Sequence, residues 1–311
     1  MMFDVVTGGA GFIGSHLVDT LVAQGNEVLV VDSLCAGRIE TISRHIDDHK
    51  VRFVQADLLG DGWQEHIEGA DRLFHLAADP DVRQSAISPD PAMQNNIMAT
   101  YRVLEAMRRY EVPELVFTST STVYGDATVI PTPEDYAPLL PISVYGASKL
   151  ACEALISSYC YSFGMKAWIY RFANIVGERS GHGVITDFIR KLKENPNELE
   201  ILGDGKQAKS YLEVHECVAA MLFALRTKGT VNIFNIGSED WIDVKSIAEI
   251  VAEEMHLPDV RFRFTGGERG WVGDVPRMQL SLERIKGKRW KPELGSRESV
   301  RLAARDLVRS G

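Results

Sequence analysis

Short apolar runs rich in β-branched residues alternate with longer amphipathic stretches through the first half of the chain. FDVVTG, EVLVVD, VRFVQAD, ADRLFHLA, ELVFTST and KAWIYRF read as six strands. FIGSHLVDTLVAQG has helical spacing and stops at Gly25. PAMQNNIMATYRVLEAMRRY, with proline near its start, and SVYGASKLACEALISSYCYSFG are two more helices. The strands are nearly continuous in apolar residues, as expected when both faces of a parallel sheet are covered. Right-handed crossovers then make the expected fold an α/β, doubly wound parallel sheet.

The rhythm changes after about residue 174. ANIVGERSGHG is loop-like, and NPNELEILGDGKQAKS carries several turn signals. EVHECVAAMLFALRT and VKSIAEIVAEEM are helices, VNIFNIG is a strand, and a last helix lies near the C-terminus. The expected division is a nucleotide-binding region at 1–174, with segments at about 211–250 returning to it. Residues 175–311 form a smaller mixed α/β region.

The chain has 311 residues, 45% of them hydrophobic, enough for a sizeable buried core. A net charge of −9 gives no electrostatic footprint for nucleic acid, and none is expected as a partner. No apolar run is long enough to cross a membrane, and the segment MMFDVVTGGAG has neither a basic leader nor a long apolar core. A cytoplasmic location is therefore expected. Cys35, Cys152, Cys160 and Cys217 are scattered, as free thiols would be. His45 and His49 stand four apart beside Asp47 and Asp48, which reads as a solvated helix face and not a metal site.

Four features carry chemistry. VVTGGAGFIGSH places Gly8, Gly11 and Gly14 between a strand and a helix, where backbone must approach a pyrophosphate and the helix start can hold it. The spacing is G-x-x-G-x-x-G, wider than G-x-G-x-x-G. Asp32 ends the second strand about 20 residues on, where a carboxylate accepts from a ribose 2′-OH and repels a 2′-phosphate. That favours NAD over NADP, with Arg38 nearby as a counterweight. Tyr145 and Lys149 then share a helix face one turn apart. An ammonium and a nicotinamide cation both favour phenolate, making the tyrosine a base near neutrality. The run TSTSTVYGD ends the fifth strand in hydroxyls, one of which can hold a substrate oxygen or relay its proton.

In combination, TGGAGFIGSHLVD, VVDSLCAGR, FHLAADPDV, STVYGD, PISVYGASKLACE, YRFANIVG, GHGVITDFI, LGDGKQAKSYL and RGWVGDVP resemble the extended short-chain dehydrogenases/reductases. Within these, the chain is similar to NAD-dependent UDP-glucose 4-epimerases of compact archaeal or prokaryotic type. The resemblance spans nearly the whole chain and implies a Rossmann domain with a nucleotide-sugar region. Relatives that dehydrate nucleotide sugars carry an Asp–Glu pair just before V-Y-G. Thr120, Ser121 and Thr122 stand in that stretch here, which implies epimerisation at C4 instead of water loss.

The resemblance also implies roles residue by residue. Thr120 is the catalytic hydroxyl beside Tyr145 and Lys149. Phe12 and Ile13 lie at the pyrophosphate, and Ser33, Leu34, Cys35, Ala36 and Gly37 join Asp32 in the cofactor set. Asp57 and Leu58 flank the adenine. Leu76, Ala77, Ala78, Asp79 and Pro80 line the cofactor, with Asn96 as a polar contact and Asn95 as its alternative. Asn174, Lys209 and Arg269 meet the sugar diphosphate, Asp274 a ribose. Val184, Ile185, Glu200, Ile201 and Leu202 lie on the nucleotide side, and Met278 beside the sugar C2 substituent. Lysine at 209 replaces the arginine of many relatives, and RGWVGDVP has one residue more than the usual R-x-G-D spacing. A homodimer through the Asn95 and Tyr145 helices is implied. Other readings are a 4-epimerase of UDP-GlcNAc or UDP-glucuronate, a nucleotide-sugar reductase, or a non-catalytic NAD-binding regulator. The last is disfavoured by the presence of both Tyr145 and Lys149.

Overall fold

The computed structural model describes residues 1–310. Strands β1 (Phe3–Thr7), β2 (Glu27–Asp32), β3 (Val51–Gln55), β4 (Arg72–His75), β5 (Glu114–Thr120) and β6 (Lys166–Phe172) follow the six predicted runs. Downstream come β7 (Asn174–Val176), β8 (Glu198–Ile201), β9 (Ala208–Lys209), β10 (Tyr211–Glu213) and β11 (Val231–Ile236), then β12 (Ile242–Asp243), β13 (Arg261–Phe264) and β14 (Arg277–Met278). One seven-stranded sheet has the order β11-β6-β5-β4-β1-β2-β3. The chain starts in mid-sheet, runs to one edge at β3, and resumes at β4 on the other side of β1, the doubly wound pattern of a Rossmann sheet.

By chain contacts, Met1–Val123, Ser143–Arg171 and Ala224–Phe234 form one unit. Tyr124–Ile142, Phe172–Phe223 and Asn235–Gly311 form another. The stretch that returns to the first unit is thus Ala224–Phe234, shorter than the expected 211–250, because only β11 and its approach are drawn to the sheet. Tyr124–Ile142 falls with the second unit although it precedes residue 174. It is tied there by Tyr124 Oη, which donates to Asn235 Oδ1 at 2.7 Å.

The core of the first unit lies around the sheet, with Val5, Leu29, Leu73, Leu115 and Ile169 meeting Trp63, Leu104, Met107 and Ile156. The Val144–Phe163 helix starts at Ser143, whose hydroxyl accepts the Gly146 N–H at 3.1 Å, and ends at Gly164 with φ 73°. The helix predicted over PAMQNNIMATYRVLEAMRRY is not uniform. Asp90–Ala92 is one turn, Met93–Met98 widens into a π-helix, and Ala99–Arg109 is α.

In the second unit, β10 pairs β7, β12-β9-β14 make a small mixed sheet, and β13 pairs β8. The loop-like ANIVGERSGHG begins as a strand, and NPNELEILGDGKQAKS contains two. Period-2 alternation decides this, since Leu199 and Ile201 are buried while Glu198 and Glu200 pair outward with Arg261 and Arg263. Their core includes Phe188, Leu192, Tyr211, Ile247, Val251, Val300 and Ala303. Of the cysteines, Cys35 is exposed and the other three are buried, all free. His45 corrects the reading of a solvated face: it is buried, with Nε2 2.6 Å from Asp19 Oδ1. Among the described residues no helix is long and apolar enough to cross a membrane.

Candidate active site

The glycine turn is built as a ligand seat. Gly8 has φ 73°, and a Cβ there would lie 2.6 Å from the Ala77 nitrogen, so the first turn and the end of β4 touch through bare backbone. A Cβ on Gly14 would lie 2.1 Å from the Gly8 carbonyl oxygen, which only glycine permits. At Gly11 the same atom meets only that oxygen, at 3.2 Å, leaving the turn's outer face clear. Gly11 is the N-cap of the Phe12–Ala23 helix and gives it no side-chain cap. The first N–H groups, Phe12 and Ile13 among them, therefore await an acceptor, as an anion site requires.

Asp32, buried at the end of β2, accepts the Ala10 N–H on Oδ2 at 3.0 Å and the Leu34 N–H on Oδ1 at 2.8 Å. These bonds fix the carboxylate and leave each oxygen a lone pair for a ribose hydroxyl. The following Ser33–Gly37 loop turns through Leu34 at φ 60°, and Gly37 packs on Ala10, where a Cβ would meet the Ala10 carbonyl carbon at 3.0 Å. These features fit a dinucleotide. If the carboxylate reads the ribose, NAD binds at least tenfold tighter than NADP, about 1.4 kcal/mol. Asp32→Asn narrows that gap. Equal calorimetric dissociation constants in the wild type would contradict the assignment.

At the end of β5, three consecutive residues face the Val144–Phe163 helix. The Thr118 carbonyl oxygen accepts from Lys149 Nζ at 3.0 Å, the Ser119 hydroxyl donates to Glu153, and the Thr120 hydroxyl lies near enough to the Tyr145 phenol to act on its acidity. Thr120 Oγ1 also accepts the Thr122 N–H at 3.1 Å. Tyr145, Lys149 and Thr120 are thereby brought together. The expected lowering of the phenol is not produced by these residues. Burial pushes Tyr145 up to about 12, the nearby Thr120 hydroxyl pulls it partly back, and Asp79 and Cys152 push it further up. Lys149 spends its ammonium on Thr118, and burial brings it down to about 8, against the raising influence of Cys152 and Glu153. Its Nζ lies 4.7 Å from the Phe117 ring centroid. His75 lies below, with Nδ1 2.8 Å from Thr7 Oγ1 and Nε2 3.0 Å from Thr100 Oγ1. Burial, then Lys149, lowers it to about 3, so it is a neutral imidazole.

Asn96 is a clasp. Its Oδ1 accepts the Asp79 N–H at 2.8 Å, and Nδ2 donates to the Asp79 carbonyl at 3.2 Å and to Ser148 Oγ at 2.9 Å. The Ser148 hydroxyl donates in turn to the Tyr145 carbonyl at 2.7 Å. The amide expected as a cofactor contact is thus engaged within the protein, tying the Leu76–Pro80 loop to the Val144–Phe163 helix. Leu58, expected against an adenine, has its side chain in the core, and its carbonyl accepts from Trp63 Nε1. Asp57 stays exposed and accepts the Leu59 N–H.

Within the second unit, Lys209 Nζ lies 2.6 Å from Asp274 Oδ1, and Asp274 Oδ2 accepts the Gly270 N–H at 3.0 Å. Arg269 is paired with Asp126 at 2.7 Å and also donates to the Asp274 carbonyl. Asn174 Nδ2 donates to the Ser210 carbonyl at 3.1 Å. Val184 opens the Val184–Glu194 helix behind Gly183, whereas the Ile185 and Ile201 side chains are core residues and could offer a nucleotide only backbone. Glu200 faces Arg263, and Leu202 accepts from Gln207. Met278, on β14 opposite Lys209, is part-buried, and its carbonyl accepts the Ser210 N–H. Sequence reasoning missed Ser148, Glu153, Arg171 and Asp126. Only Glu153 carried a readable signal, its place one further turn along the Tyr145–Lys149 stripe.

Residues 5–237 match the NAD dependent epimerase/dehydratase family. A putative UDP-glucose 4-epimerase of Methanocaldococcus jannaschii is 33% identical over 304 residues, covering 96% of this chain and 95% of the relative. A crystal structure of a UDP-galactose 4-epimerase superposes with a TM-score of 0.90 at 43% identity, over 99% of each chain. That of the Thermus thermophilus UDP-glucose 4-epimerase complex with NAD gives 0.88 at 31% identity over 100% of each. With its glycine seat, its Asp32 and its Tyr145–Lys149 pair, the chain belongs to the NAD-dependent epimerase/dehydratase family of extended short-chain dehydrogenases/reductases.

Proposed function

We propose that the protein is a UDP-glucose 4-epimerase, interconverting UDP-galactose and UDP-glucose. The observation that carries this reading is the end of β5, where a Thr120–Tyr145 hydroxyl pair and Lys149 converge and the run Thr120–Ser121–Thr122 offers no carboxylate to eliminate water. When bound, NAD supplies the hydride acceptor for sugar C4 and a ring cation that favours phenolate. Tyr145 takes the O4 proton as C4 is oxidised and returns it as C4 is reduced on the other face. Thr120 holds O4 and relays that proton. Lys149, anchored on the Thr118 carbonyl, holds the nicotinamide ribose and adds positive potential. Arg269 and Lys209 hold the diphosphate while the 4-keto sugar turns, Arg269 exchanging its Asp126 partner for phosphate. Proton NMR of UDP-glucose or dTDP-glucose incubated with enzyme and NAD should show no 4-keto-6-deoxy sugar. Its accumulation would replace this reading with a dehydratase.

Met278 sets the room beside the sugar C2 substituent. A long, flexible side chain there hinders an N-acetylated sugar, so kcat/KM for UDP-GalNAc falls at least tenfold below that for UDP-galactose, about 1.4 kcal/mol. Met278→Ser raises the N-acetyl rate selectively. Equal wild-type rates on both sugars would remove the residue from this role. The exposed apolar side chains of Met93, Met98, Tyr101, Tyr161 and Phe163 support a homodimer through these helices, which sedimentation would check.

A further inference from the structure

Tyr145, Lys149 and Glu153 stand at i, i+4 and i+8 along one helix, forming a stripe that meets three consecutive residues of β5. The first two belong to the chemistry already assigned. The third is buried and elaborately held. Glu153 Oε1 accepts the Ser119 hydroxyl at 2.5 Å and Arg171 Nε at 3.0 Å, and Oε2 accepts Arg171 Nη2 at 2.7 Å. Both members of the ion pair are nearly inaccessible, with side-chain exposures of 3% and 5%. A buried pair of this kind is weak as a device for stability, because desolvation offsets its attraction. It does fix geometry, since the planar guanidinium holds a carboxylate in one orientation.

We propose that Glu153, clamped by Arg171 of β6 and bonded to Ser119 of β5, is a positioning residue that sets the register of the Tyr145–Lys149 helix against the hydroxyl strand. The inference rests on the catalytic reading of Tyr145, Lys149 and Thr120. Ser119 lies between the β5 residue that bonds Lys149 and the one beside the Tyr145 phenol, so a slip at Ser119 displaces both the Thr118–Lys149 bond and the approach of Thr120 to Tyr145. The carboxylate has a second effect. Lys149 is faced by Cys152 and Glu153 of its own helix, by neutral His75 of β4, and by the Thr118 carbonyl and Phe117 ring of β5. Cys152 and then Glu153 oppose the lowering of the ammonium by burial, and of the two Glu153 is the carboxylate held in place by an ion pair.

Two single substitutions separate the effects. Glu153→Gln removes the carboxylate charge that opposes burial at Lys149, so Lys149 loses its proton at lower pH. Carbon-13 lysine NMR, with the Lys149 signal assigned through Lys149→Arg, should show its titration moved down by roughly half a pH unit or more. This reading needs no substrate and so stands whether or not UDP-sugars are turned over. The alkaline limb of kcat, expected near pH 8 in the wild type from loss of the ammonium, should move down with it. Ser119→Ala keeps the charge and removes the strand bond. Its Lys149 titration should be unchanged, with kcat lowered about tenfold, KM within about twofold, and Ser119→Thr restoring the rate. An unmoved Lys149 titration in folded Glu153→Gln, or full kcat in Ser119→Ala, would overturn the proposal. If Glu153→Gln does not fold, the Ser119 pair decides.

Discussion

Tyr145→Phe is expected to lower kcat at least about a thousandfold, roughly 4 kcal/mol, while NAD still binds and the protein still folds. In the proposed reaction the phenol exchanges a proton with a sugar hydroxyl beside Thr120, and the substitution keeps the ring. The loss belongs in kcat, because the proton is in flight only in the transition state. Thr120 cannot substitute: its hydroxyl is bonded to Thr122, and a threonine hydroxyl passes a proton on without keeping it. A variant retaining a tenth or more of wild-type kcat, a loss under about 1.4 kcal/mol, would remove Tyr145 from the role of base.

Gly14→Ala should have the largest effect on the folded cofactor region. A Cβ there would sit 2.1 Å from the Gly8 carbonyl oxygen and 2.9 Å from Gly9 Cα, and both obstacles are backbone. No rotamer relieves that contact. The Phe12–Ala23 helix must move off the turn, taking with it the N–H groups that would hold a pyrophosphate. A destabilisation of about 3 kcal/mol or more is expected, with NAD affinity lost at least a hundredfold in whatever folds. Thermal melts and calorimetry on the purified variant would measure both. Wild-type melting and NAD binding would mean that the turn is not held by this approach.

Much of this site could be read in the residues because its signals are local. The glycine turn, Asp32 and the Tyr145–Lys149 pair each lie within one strand–turn–helix unit, where periodicity and glycine speak directly. The strand VNIFNIG was legible as a strand, but its place beside β6 depends on long-range packing. The clasp of Asn96 joins residues 17 and 52 positions away, and Arg269 meets Asp126 143 positions away, distances at which sequence spacing carries no information. Side-chain direction was also hidden. Leu58, Ile185 and Ile201 matched nucleotide-side motifs, yet each is turned into a core. The burial of the Tyr145 phenol was not legible either: in the chain by itself burial raises it, so the cofactor's positive charge must do much of the work of making it a base.

The proposed reaction inverts C4 of a UDP-hexose by removing and returning the same hydride. The most direct test is conversion of UDP-galactose by the purified enzyme with NAD in heavy water, followed by proton NMR. One mixture of UDP-galactose and UDP-glucose, reached from either sugar, is expected, with ordinary hydrogen retained at C4. Failure to form UDP-glucose, or deuterium at C4 of the product, would contradict it.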